Sequence, residues 1–291
     1  KVDGGPVPEF VAKSGALGRP PIGRHDALRQ ARLLKALEGR PGVHVPRVLA
    51  TGVGEPAIFF MTYEAGDATE PVLDGNGEMD PALVDERARA AARMLAHLQA
   101  VSPDEVGLGD EPALTVADEL ARWSKTMSVV DQSLVVGADD LRAGLEATLP
   151  PEAPPAIVHG DYRLGNILFD GPLPTGLIDW EIWSLTDPRV DLTWFLLSCD
   201  HLDFPGVGTI APGMPDEAEL IAEYENAGGW SQDVAWFMAF SRFKMAAIMA
   251  HNLRRHREGR HHDPFQERLP PTIASLVQRG LQTLEHLRST T

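Results

Sequence analysis

The sequence predicts an α+β chain in two lobes, a small β-rich N-lobe over residues 1–66 and a large, mainly helical C-lobe over residues 67–291. Three observations lead there. Runs of strand length, rich in β-branched and aromatic residues, cluster in the N-lobe around one helical segment. Helical periodicity dominates from residue 81 to residue 287, and it is interrupted at residues 157–181 by short apolar runs separated by charged turns. At 291 residues and 43% hydrophobic, the chain can bury a sizeable core.

In order, Pro8 to Lys13 reads as a strand ending in a lysine, and Gly23 to Glu38 has helical spacing through Leu28, Ala31, Leu34 and Leu37. Val48 to Thr51 and Ala57 to Tyr63 read as two further strands. Helices are then predicted over 81–100, 115–127, 138–149, 190–199, 216–227, 234–256 and 272–287. Trp183, Trp194, Trp230 and Trp236 are read as core or groove-wall residues. Asp187 is placed at a helix N-cap with Pro188 at the first helical position, and Asp191 is read as structural. Pro150 to Pro155 forms a stiff lead into the next strand.

The most informative stretch is His159-Gly160-Asp161-Tyr162-Arg163-Leu164-Gly165-Asn166, followed by Ile178-Asp179-Trp180-Glu181. Strands at Ile157-Val158, 167–169 and 175–178 are expected to bring Asp161, Asn166 and Asp179 to one sheet end. Two carboxylates and a carboxamide on short turns suit a magnesium-bound triphosphate beside an acceptor hydroxyl. Asp161 can accept a hydrogen bond from the attacking hydroxyl, Asn166 offers a neutral oxygen to a hard cation, and Asp179 offers a charged one. Arg163 can steady the transferring group. Taken singly, either motif has a plainer explanation, since Asp and Gly favour turns and Ile-Asp-Trp-Glu can end a strand. One hairpin apart, with the asparagine in register, they read as a phosphoryl-transfer site.

At these residues the chain resembles the aminoglycoside phosphotransferase and choline kinase superfamily, relatives of the protein kinases, with a catalytic loop H-G-D-x-x-x-x-N and a metal motif I-D-W/F-E. It is similar to bacterial members grouped with the aminoglycoside phosphotransferases, and these resemble the kinase-like part of some acyl-CoA dehydrogenase fusions. Residues 25–34, 187–192 and 239–248 extend the resemblance over nearly the whole chain. It implies a protein-kinase-like two-lobed fold, ATP and Mg2+ as cofactors, and a small-molecule hydroxyl acceptor. It also implies that Lys13 reaches the α/β-phosphates, and that Thr62, Tyr63 and Glu64 form the connecting segment whose backbone bonds adenine.

Two departures stand out. The family's lysine partner is a helix glutamate, but here the position is Gln30, which supplies no charge; Asp179 is the alternative partner for Lys13. Few residues precede Lys13, so the glycine-rich loop is expected to be truncated or represented by Asp3-Gly4-Gly5 alone. These departures keep a nucleotide-binding regulatory module, or pseudokinase, as the rival reading. A macromolecular kinase is disfavoured, because no peptide-docking activation segment stands between Asp179 and Asp187.

Residues 1–66 carry 9 Lys/Arg against 6 Asp/Glu, a net of +3, and the remainder 17 against 36, a net of −19. A basic first lobe suits an anionic nucleotide, and the acidic remainder suits either solubility or a cationic acceptor such as an aminoglycoside or a choline-like amino alcohol. Nucleic acid is excluded as a partner on the same ground, and nothing in the composition sets an oligomeric state. No run approaches a membrane span and no signal peptide is seen, so a cytoplasmic protein is expected. The single Cys199 sits in an apolar run and excludes both an intrachain disulfide and a thiolate zinc cluster. The basic run Arg254 to His262 is read as a solvated helix end capped by Gly259, with an anionic contact as the alternative.

Overall fold

In the computed structural model, which describes residues 9–18, 20, 22–74 and 79–290, the chain enters as β1 (Phe10–Ser14) and turns into α1 (Ala27–Leu37). Next come β2 (Val48–Gly52) and β3 (Ile58–Thr62), and the three strands form an antiparallel sheet in the order β1-β3-β2, with Lys13 opposite Phe59. Asp3-Gly4-Gly5 lies outside the described residues. The first helix starts four residues later than its spacing suggested, because Asp26 accepts the Arg29 N–H at 3.0 Å as an N-cap. Gly23 to His25 form a 3-10 turn ahead of it. Ala27, Gln30, Ala31, Leu34 and Leu37 then recur at helical spacing and are buried, with α1 lying on β2 and β3. Each Leu or Phe removed from water there contributes about 1.5–3 kcal/mol.

The seven expected C-lobe helices all form: α2 (Pro81–Gln99), α3 (Val116–Met127), α4 (Ala138–Ala147), α5 (Arg189–Cys199), α6 (Glu217–Asn226), α7 (Val234–Arg257) and α8 (Pro270–Thr290). Capping boxes at Thr115/Asp118 and Asp216/Glu219 set the starts of α3 and α6. All eleven residues of α5 are buried, packed against α2 and α7, so this helix forms the centre of the lobe. It begins at Arg189, one residue ahead of the expected 190 and with Pro188 at the N-cap rather than at the first helical position, and the Arg189 N–H is accepted by Asp187 at 3.0 Å. The buried Arg189 guanidinium also bonds Asp187, at 2.9 and 2.7 Å, and the Pro151 carbonyl at 2.8 Å, tying the proline-rich lead to the helix.

The three short strands do not form one sheet, which corrects the sequence expectation. β5 (Ile167–Asp170) and β6 (Leu173–Leu177) pair as a hairpin, because Gly171 with φ 56° and Pro172 reverse the chain directly. β4 (Ala156–Val158) instead pairs with β7 (Ser184–Thr186), Ala156 opposite Thr186. At three residues, β7 is too short to carry a legible alternation.

At Gly66-Asp67 the chain pairs with the β5–β6 hairpin. Asp67 exchanges two backbone hydrogen bonds of 3.0 Å with Phe169, and Arg87 clamps its carboxylate at 2.6 and 2.9 Å. Gly66 has φ 142°, and a Cβ there would stand 2.7 Å from the Phe169 carbonyl oxygen, so the close approach requires glycine. No helix among the described residues is long and apolar enough to cross a membrane.

Candidate functional site

β4 delivers His159, Gly160 and Asp161 to a turn held from beneath by α5. The fully buried Asp191 accepts the His159 N–H at 2.5 Å and the Gly160 N–H at 2.9 Å. Removal from water pushes its carboxyl up to about 7, against the pull of those two N–H groups. Gly160 has φ 88°, and a Cβ would meet the Ile182 carbonyl at 2.8 Å. The His159 ring accepts the Asp161 N–H at Nδ1, 3.2 Å, so Nε2 carries the hydrogen and donates it to the Ile178 carbonyl at 2.8 Å. Burial lowers this imidazole to about 4, which keeps it neutral. One uncharged ring thereby locks the Asp161 turn to the end of the β5–β6 hairpin, with Trp180 4.5 Å away over it.

The Asp161 carboxylate is the most tightly directed group in the cleft. Oδ1 accepts from Trp194 Nε1 at 2.8 Å, and Oδ2 accepts from Asn166 Nδ2 at 2.8 Å and from Arg163 Nε at 3.3 Å. Asn166 gives its amide to Asp161 twice, to Oδ2 and to the carbonyl, both at 2.8 Å, so its carboxamide oxygen is the atom left to offer a cation. Removing one hydrogen bond to a charged group costs about 1.5–3 kcal/mol. Trp194→Phe is therefore expected to lower turnover by about ten- to a hundredfold while nucleotide affinity stays unchanged. Single-turnover kinetics beside a nucleotide titration measure both, and unchanged turnover would remove Trp194 as the residue that aims Asp161.

Arg163 reaches a carboxylate that sequence reasoning missed. Glu70 accepts from Arg163 at 3.2 Å and from the Gly165 N–H at 3.0 Å, and its other oxygen is buried without a hydrogen-bond partner. Burial pushes Glu70 up to about 7, outweighing the Gly165 N–H and Arg163. Since the folded protein keeps this proton where the unfolded chain has lost it, stability falls as pH rises from 4.5 to about 7 and levels off above. Glu70→Gln cannot ionise, so it is expected to gain stability relative to the parent between about pH 5 and about pH 8, by on the order of 3 kcal/mol at full expression. Urea unfolding across that range tests this, and parallel parent and variant curves would refute it.

Asp179 follows β6 in the left-handed region, φ 66° and ψ 51°, a conformation aspartate tolerates better than most residues. That backbone turns its half-exposed carboxylate toward the N-lobe, where Lys13 Nζ binds Oδ1 at 3.1 Å. Asp179, rather than a glutamate on α1, is thus the lysine's ionic partner, and the buried Gln30 lines the same small cleft together with Phe59, Met61 and Trp180. Thr62 donates its backbone N–H to Arg47 and its hydroxyl to Glu64, while Tyr63 is exposed. These three residues therefore form a braced exit from β3, and the Thr62 N–H is occupied within the protein.

Three contributors escaped the sequence reading because each arrives from a distant segment. Trp194 was assigned to wall or core, and Glu70 sits in an irregular stretch. Lys244 lies in a run of helical residues; it is buried, donates to the Gly160 carbonyl at 3.0 Å and lies 4.1 Å over the Trp194 ring. Asp191, read as structural, proves to be the brace of the Asp161 turn.

Acyl-CoA dehydrogenase family member 10 of Mus musculus is 28% identical over 255 residues, which covers 77% of this chain but 22% of that protein. The chain thus spans about a fifth of that relative's length. A candidate aminoglycoside phosphotransferase of Ralstonia eutropha superimposes with a TM-score of 0.78 at 23% identity, covering 95% of this chain and 86% of the other. An aminoglycoside phosphotransferase solved with ADP bound superimposes with a TM-score of 0.59 at 15% identity, covering 94% and 88%. Together they show the kinase-like fold. The profile of the phosphotransferase enzyme family matches residues 5–240, most of the chain, and the protein belongs to that family.

Proposed function

We propose that this phosphotransferase-family protein is an ATP-dependent, magnesium-requiring O-phosphotransferase acting on a hydroxyl of a small molecule. The observation that carries the proposal is the Asp161 carboxylate, aimed by Trp194, Asn166 and Arg163 and joined through the His159 ring to Ile178, next to the Asp179 that pairs with Lys13. Among the described residues no three His, Cys, Asp or Glu side chains group as a metal cluster. Asp179 with the Asn166 oxygen still fits magnesium, which takes one or two protein oxygens and fills the rest of its shell from phosphates and water. A magnesium ion held by these two residues would neutralise phosphate charge.

Asp161 orients the acceptor hydroxyl and takes its proton as the oxygen attacks the γ-phosphorus; the new O–P bond forms as the bond to the ADP oxygen breaks. Arg163, anchored by Glu70, places a positive charge beside the transferring group. Lys13 is positioned to exchange its Asp179 contact for a nucleotide phosphate. Thr62, Tyr63 and Glu64 are proposed to face the base, and Gln30 to brace Lys13 through its amide.

The second reading, a nucleotide-binding regulatory module, is favoured by one observation: Lys13 is paired with the proposed metal ligand itself. Calorimetric titration with ATP, with and without magnesium, followed by a hydroxyl-metabolite screen for ADP release, separates the readings. Magnesium-dependent binding with acceptor-dependent ADP release is expected. Binding without release across sugars, amino alcohols, hydroxy acids and aminoglycosides would favour the regulatory module, and absence of binding would overturn both.

A further inference from the structure

A cavity of about 1020 Å³ opens beside the catalytic loop. Its near end is formed by Glu181, Ile182 and Trp183, just past Asp179, and the Ile182 carbonyl abuts Gly160. From there it follows α7. Lys244 touches the Gly160 carbonyl, and Ile248, Asn252 and Arg255 line the cavity at successive turns of the same helix. At ~1.5 Å per residue, Arg255 stands ~16 Å along the axis from the catalytic loop. The facing wall is α3, which contributes Arg122, Trp123 and Lys125.

The charge of this cavity runs against that of the lobe. Residues 67–291 carry 17 Lys/Arg against 36 Asp/Glu, yet four Lys/Arg and two carboxylates line the cavity. Arg29 is engaged by Glu111 at 2.8 Å, and Arg122 lies 3.5 Å from Glu119. In the basic run at the end of α7, Arg254 pairs with Glu258 and Arg257 with Glu267, both at 2.7 Å, away from this cavity's lining. Arg255 instead lines the cavity and, like Lys125, has no carboxylate within 4.0 Å among the described residues. Helix-end complementation accounts for a cation in the last turn but not for one placed in a cavity. At the catalytic end Glu181 stands beside Arg29, which is paired with Glu111 and donates to the Trp183 carbonyl at 3.1 Å; the two cations without a carboxylate stand further along α3 and α7, and Trp123, Val129, Ile182 and Ile248 supply apolar wall beside the polar His251 and Asn252.

We propose that this cavity is the acceptor site and that it selects an elongated hydroxyl compound whose anionic group, carboxylate or phosphate, is remote from the reacting hydroxyl and is held by Lys125 and Arg255. The proposal rests on the phosphotransferase reading above and replaces the expectation of a cationic acceptor, which the lobe's net charge alone had suggested.

The test uses chains of matched length: ω-hydroxydodecanoate, the monophosphate of dodecanediol, dodecanediol and aminododecanol. At ~1.2 Å per backbone bond their reach approaches the span of the cavity. Binding is read from the fluorescence of Trp123 and Trp183 in the cavity wall, without nucleotide, and ADP release is measured separately. Either anionic ligand is expected to bind at least about tenfold tighter than the diol, equivalent to one charge-assisted bond. The double variant Lys125→Ala/Arg255→Ala, both exposed positions, is expected to erase that preference without changing affinity for the diol. The ratio of the two anions identifies carboxylate or phosphate as the group held. Equal affinities in the parent, tighter binding of aminododecanol, or a preference that survives the double variant would each overturn the proposal. An anion preference with no ADP release from any acceptor would defeat the phosphotransferase reading and leave the anion site standing, whereas ADP release with another acceptor class and no anion preference would do the reverse.

Discussion

Asp161→Asn is expected to slow acceptor-dependent ADP release by about 10²–10⁴-fold, the range for loss of a general base, while nucleotide affinity changes by no more than about twofold. The asymmetry follows from what Asp161 touches. Its two oxygens accept from Trp194, Asn166 and Arg163, so in the proposed arrangement the residue faces the acceptor and has no direct contact with the nucleotide. An asparagine has one acceptor for these donors, and its amide must face another N–H, so the substitution removes the base and loosens the donors together. Thermal unfolding of the variant separates a chemical effect from a folding one. Turnover within about tenfold of the parent on a confirmed acceptor would remove Asp161 from the base role.

For Asp179→Ala the expected loss is in binding. Magnesium-dependent nucleotide affinity is expected to fall by about ten- to a hundredfold, the value of one well-formed interaction with a charged group, while affinity measured without magnesium stays close to the parent's. Because Asp179 has φ 66°, alanine also brings backbone strain of about 1–2 kcal/mol. Asp179→Asn is the control, since asparagine tolerates that conformation and removes only the charge. Calorimetry on parent and both variants decides the matter; a magnesium effect that survives in both would show that the cation is held elsewhere. Loss of the carboxylate also frees Lys13 from its 3.1 Å pair, so magnesium-free affinity above the parent's would indicate that the pair competes with phosphate for the lysine.

The fold was legible where the signal is local. Amphipathic spacing located α1 and the seven later helices to within a few residues, and the shortfalls trace to single side chains, Asp26 capping α1 and Asp187 holding the first turn of α5. The pairing of β4 with β7 was not legible, because three-residue strands have no period to read and the partner lies 28 residues away. At the site, Asp161, Asn166 and Asp179 announced themselves by spacing, and the structure bonds Asn166 to Asp161, ties Ile178, beside Asp179, to the Asn166 carbonyl, and pairs Asp179 with Lys13. The groups that aim them did not, for Trp194, Glu70 and Lys244 belong to other segments and look like ordinary interior or loop residues in sequence. The Gln30 departure was visible, as were its two possible consequences; the structure selects the one in which Asp179 pairs with Lys13.

Asp191 and Trp194 stand three residues apart on one face of the wholly buried α5, and between them they position the backbone and the carboxylate of the Asp161 turn. Arg255 and Lys125, which face the proposed acceptor, belong instead to α7 and α3, at exposed positions. On the proposed roles, α5 serves the reaction alone, whereas α7 holds Lys244 against the Asp161 turn and carries Arg255 three turns further along. If those roles hold, drift at the outer cavity positions is expected to redirect the protein to new molecules, whereas changes at Asp191 or Trp194 are expected to slow the reaction with every acceptor. Directed-evolution libraries that diversify positions 122–129 and 248–255 while holding 187–199 fixed should consequently retain a far larger fraction of active members than libraries of equal size spread over the whole lobe.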